Sequence, residues 1–146
     1  MHVSSQLKNA FSLTAFVGGD GAAHGELFLD DGVQRDATAE STVMHMRVAT
    51  ETSHDAVEGL LRVSVPVNDF AGAADYCFEK ITVFDATHLT SSVEITAVTL
   101  NGRPASEWLA GEGFVELVLP CDGTGDADAV LPLGQDFFVT WSGRRL

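Results

Sequence analysis

The chain is short of positive charge. Eight lysines and arginines stand against 21 aspartates and glutamates, for a formal net charge of −13. Lys8 and Lys80 are the only lysines. With no basic stripe to displace counterions from phosphate, nucleic acid and anionic lipid are poor partners. No run approaches the ~20 apolar residues needed to span a bilayer by a helix. The opening "MHVSSQLKNAF" lacks a charged region followed by an apolar one, so it does not read as a signal peptide. Two cysteines, Cys77 and Cys121, are too few for a disulfide framework. They can pair across a long loop or remain two buried thiols, and the sequence favours the thiols.

Chemical motifs are equally scarce. The chain has no G-x-S-x-G elbow and no glycine-rich phosphate loop ahead of a helix. The five histidines (His2, His24, His45, His54 and His88) have no partners at metal-ligand spacing. No N-x-[ST] sequon occurs. No window of a dozen residues sustains a helical stripe; the nearest, "PASEWLAG" (104–111), predicts a single turn starting at Ser106.

What remains is a strand-forming pattern. Hydrophobic residues make up 45% and charged residues 20%, a globular composition over a length that suits one domain, residues 1–146. "FSLTAFV" (11–17) puts Phe11, Leu13, Ala15 and Val17 on one face. "TVMHMRVAT" (42–50) sets Met44, Met46 and Val48 against His45 and Arg47, and "LLRVSVPV" (60–67) alternates in the same way. "CFEKITVF" (77–84), "VEITAVTL" (93–100), "FVELVLP" (114–120) and "DFFVTW" (136–141) continue the series. Alternation marks strands with one buried and one wet face. Turn-formers separate them: "GGDG" at 18–21, "DDG" at 30–32, "NG" at 101–102 and "DGTGD" at 122–126. About eight strands joined this way predict an all-β fold, an antiparallel two-sheet β-sandwich.

Three candidate sites can be weighed. Asp30 and Asp31 precede Gly32 in "GELFLDDG" (25–32). Successive strand side chains diverge, so neighbouring carboxylates cannot flank one glycosidic bond. Asp-Gly after an alternating run instead ends a strand in a turn. Asp122, Asp126 and Asp128 offer oxygens for a weak calcium loop. Their spacing misses the EF-hand pattern, and a solvated acidic loop is the plainer reading. Trp108 is a candidate for stacking on a sugar ring or for packing on a neighbouring domain, whereas Trp141 ends an apolar strand and reads as a core plug.

Taken in order, "FSLTAFVGGDGAAHGELFLDDGVQRD", "EKITVFDAT", "VEITAVTLNGRPA" and "LPLGQDFFVTW" resemble the C-terminal β-sandwich of family 31 glycoside hydrolases, nearest to the family's endoplasmic-reticulum glucosidase II branch. The likeness covers most of residues 11–141. It implies a parent enzyme that hydrolyses terminal α-linked glucose, with its aspartates on a separate (β/α)₈ barrel. Such a barrel needs about 250 residues of alternating strand and helix, a pattern foreign to this chain. No catalytic residue therefore carries over, and neither cofactor nor metal is implied. The expected partners are the catalytic barrel and a neighbouring sandwich, and the expected compartment is the endoplasmic-reticulum lumen or the secretory pathway. An accessory module separated from its neighbours should bare an apolar surface, for which Leu7, Phe11, Phe16 and Trp108 are the candidates. The alternative is a stand-alone carbohydrate-binding sandwich using Trp108, Phe70 and Tyr76.

Overall fold

A computed structural model describes residues 10–30, 41–121 and 130–146. Two sheets face each other. The larger has six strands: β2 (Ala22–Asp30), β3 (Ser41–Thr52), β4 (Ala56–Asn68), β10 (Phe137–Arg145), β6 (Val93–Leu100) and β7 (Arg103–Pro104), in that spatial order. The smaller runs β1 (Ala10–Phe16), β5 (Cys77–Phe84), β9 (Phe114–Val118) and β8 (Trp108–Gly111). The fold is an all-β sandwich, and every pair is antiparallel except β1 with β5. A 3₁₀ turn, Ala71–Asp75, links β4 to β5.

Period-two alternation determines what is buried. On β3, Met44, Met46 and Val48 enter the core while His45 and Arg47 stay outside. Val57, Leu61 and Val63 of β4, Ile81 and Val83 of β5, and Val115 and Leu117 of β9 complete both inner faces. Trp141 is 1% exposed and plugs the centre, as its place at the end of an apolar strand suggested. Its cross-strand neighbour is Gly59, and a β-carbon there would overlap the indole at Nε1, Cε2 and Cζ2. The glycine thus makes room for the ring. Phe11, Leu13, Ala15 and Val17 share the inner side of β1, partly buried against the core.

The described residues form ten strands, against the expected eight or so. "PASEWLAG" forms no helical turn: it contributes the end of β7 and all of β8. Residues 108–111 pair with 114–117 across Gly113 (φ 87°), so a nearby sheet edge outweighs the local turn signal. The "NG" turn is as expected, with Asn101 (φ 51°) and Gly102 (φ 82°) both left-handed between β6 and β7.

Cys77 and Cys121 are joined in a disulfide, with Cα atoms 5.7 Å apart and 44 positions apart in sequence. The sequence favoured free thiols. The reading of both cysteines as buried could not bring residue 121 beside Cys77. That approach follows from β5 pairing with β9, after which Leu119 N–H donates to the Glu79 carbonyl and leads the chain to Cys121. The returning segment then runs antiparallel to residues 76–78, where Phe78 N–H donates to Leu131 O and Leu133 N–H to Tyr76 O.

Candidate functional site

The sequence candidates do not converge. Asp30 is the last described residue of β2 and pairs with Ser41. Asp31 and Gly32 lie outside the described residues, as do Asp122, Asp126, Asp128 and Leu7. Gly25 of "GELFLDDG" faces inward opposite Met46, and a β-carbon there would touch nothing within 4 Å. It leaves open a cleft of about 300 Å³ between β1 and β2, floored by Met46, Val48 and Leu61. Among the described residues, no group of three or more His, Cys, Asp or Glu is placed to hold a metal ion.

Trp108 is in a strand, half-buried, opposite the core residue Leu117. It lines a cleft of about 380 Å³ with Leu89, Val93, Ile95 and Leu146. Phe70 and Tyr76 are also half-buried against the core, and Tyr76 packs edge-on to Phe11 at 5.7 Å. These rings are therefore packing residues with partly exposed edges. Phe11 likewise faces inward, so of the three described residues expected at a bare apolar surface only Phe16 stands fully out.

Around Phe16 an apolar surface is built with side chains that sequence reasoning passed over. On the outer face of the smaller sheet, Phe16, Phe84, Phe114 and Gly111 are successive cross-strand partners, forming one row across all four strands. Phe16 is 74% exposed and Phe84 40%. Their rings lie 5.2 Å apart and within 14° of parallel, and Phe114 follows at 6.3 Å and 45°. A β-carbon on Gly111 would come within 2.7 Å of the Phe114 ring, so this glycine leaves room for the end of the row. The next row is polar: Thr14, Thr82, Glu116 and then Leu109, which is 47% exposed. Thr82 Oγ1 donates to Glu116 Oε1 at 3.1 Å, and Lys80 Nζ lies 3.9 Å from the same oxygen.

This face can grip an apolar partner, or the C–H face of a sugar ring bordered by hydroxyls and a carboxylate. Among the described residues its polar part is the Thr14 and Thr82 hydroxyls and the Glu116 carboxylate, which is bonded to Thr82. The signal in the sequence was each phenylalanine's place on the wet side of its alternation. Their alignment needed the register of strands nearly 100 residues apart.

Exposed rings add little to folding. Phe16→Ser is expected to change unfolding free energy by about 1 kcal/mol or less, the worth of one aromatic pair. Urea unfolding checks this, and a much larger loss would mean the ring is part of the core.

No family model matches the chain, and no curated protein matches it.

Proposed function

We propose that this chain is a non-catalytic C-terminal accessory module of a family 31 α-glucosidase, docking on the rest of that enzyme through the aromatic row. The observation that carries the reading is the row itself. Three phenylalanines aligned across one sheet face, with Leu109 beside them, are an apolar surface of the kind that marks a protein interface. Two further features support it. The β-sandwich is the architecture that the resemblance implies, and a disulfide suits an oxidising compartment such as the secretory pathway. The parent enzyme's substrate is terminal α-linked glucose, cleaved on its barrel.

The test is an immunoblot of the source organism with an antibody to this domain. A band several times heavier than 15.5 kDa is expected. A band at the chain's own mass would overturn the reading. The pure chain is also expected to leave a chromogenic α-glucoside intact.

One observation favours a second reading, a stand-alone carbohydrate-binding module. The near-parallel Phe16 and Phe84 rings border the hydroxyls of Thr14 and Thr82 and the Glu116 carboxylate, a mixture that suits a sugar. Calorimetry with a panel of oligosaccharides decides it: binding lost in Phe16→Ser supports this reading, and no heat with any sugar ends it.

A further inference from the structure

On the opposite side of the molecule, the outer face of the six-stranded sheet carries an arrangement of charge that the aromatic row does not explain. Register places Arg47 of β3 directly opposite Arg62 of β4, Ala49 opposite Leu60, and Glu51 opposite Glu58. Like charges directly across an antiparallel pair repel. Here the repulsion occurs twice, with opposite signs, on either side of one small-residue row. Arg47, Glu51, Glu58 and Arg62 are all exposed. None has an ion-pair partner among the described residues, although the chain has acids in excess and Arg144 pairs with Glu94 at 2.8 Å on the same sheet. His24 extends the positive row on β2, while Thr140 and Ser142 of β10 continue the central and negative rows. Of the charges one row further out, Glu26 and His45 are bound to each other at 3.2 Å, and Arg144 is held by Glu94. Over the central and acidic rows lies a groove of about 450 Å³, lined by Ala49, Glu51, Glu58, Leu60, Thr140 and Ser142.

The pattern changes sign under a half-turn. We propose that this face docks a second copy of the chain, with the two-fold axis lying between the copies along the Ala49–Leu60–Thr140 row. The half-turn sets Arg47 of one copy over Glu51 of the other and Arg62 over Glu58, giving four Arg–Glu contacts per dimer. An axis along the strands would set arginine on arginine, so the charges select one orientation. The rows lie four residues apart, about 13 Å along a strand. The groove needs no apolar filling because the long side chains of the rims make the contact. Two copies at −13 repel at long range, but at ~0.15 M salt that repulsion is screened beyond about 8 Å and the pairs in contact dominate. The surface is distinct from the aromatic row and leaves that row free, so the dimer stands or falls independently of the proposed function.

Sedimentation equilibrium of the full chain at ~0.15 M salt tests it. The wild type is expected to pass from 15.5 kDa toward twice that mass as concentration rises. Arg47→Glu/Arg62→Glu should weaken the dimer at least about tenfold, and Glu51→Arg/Glu58→Arg should do so equally. The second variant is less negative overall, so its loss of association cannot come from net repulsion. Mixing the two restores all four opposite-charge contacts, and a heterodimer is expected. All four side chains are exposed, and circular dichroism checks that each variant is folded. A wild type that stays monomeric, an arginine variant of the acidic row that still associates, or a mixture that stays monomeric would each overturn the proposal.

Discussion

Replacing both cysteines, Cys77→Ala/Cys121→Ala, is expected to remove about 4 kcal/mol of unfolding free energy. This is the chain-entropy value for freeing a loop whose ends are 44 residues apart. Domains of this size have about 5–15 kcal/mol in all, so the loss is a large part of the total. The bond also closes the smaller sheet onto the returning segment at Leu131 and Leu133, both buried, so opening it loosens the core at that end. Urea unfolding with and without reductant provides the check. Reductant should lower the wild-type midpoint to near that of the double variant and leave the variant unmoved. An equal midpoint in all four conditions would mean the bond contributes nothing.

The second large effect is at Gly59. A single added methyl overlaps the Trp141 indole, the largest side chain among those wholly buried. The indole cannot move aside, because Trp141 is fixed by β4 on one flank and β6 on the other. Gly59→Ala is therefore expected to cost about 3 kcal/mol, near the top of the range for overpacked cores. A double-mutant cycle with Trp141→Leu identifies the cause. If the clash with the ring is responsible, the alanine penalty should shrink by about 2 kcal/mol once the ring is gone. The indole Nε1 has no hydrogen-bond partner among the described residues, so replacing it forfeits packing and no polar contact. An alanine penalty unchanged by Trp141→Leu would place the strain in the strand itself.

These two positions show how far the sequence could be read. All eight longer strands were legible, because each alternates over seven or more residues or ends at a Gly or Asn-Gly turn. Only the partial run after Gly113 is shorter, and there Val115 and Leu117 still mark the inner face. Trp141 was legible as core, but Gly59 beneath it was not: a glycine inside a strand has no pattern until its partner is known. Strands β7 and β8, of two and four residues, are too short to show a period, and Trp108 was misplaced with them. The same limit hid the aromatic row and the charge rims. Phe16 read as one candidate for an apolar surface and Phe84 and Phe114 only as members of strand runs, while Arg47 and Arg62 read as isolated surface charges. Cross-strand register, which no local window contains, turned them into surfaces.

The parallel pairing of β1 with β5 also bears on how the chain folds. β2, β3 and β4 are neighbours in sequence and can form a meander as soon as they exist. Ala10, by contrast, meets Cys77, and Phe16 meets Phe84. On a chain made from its N-terminus, β1 waits for some 70 residues before β5, its one strand partner among the described residues, is synthesised. Throughout that interval its edges lack β5 and Leu13 and Phe16 are uncovered, which leaves β1 open to wrong pairing during synthesis.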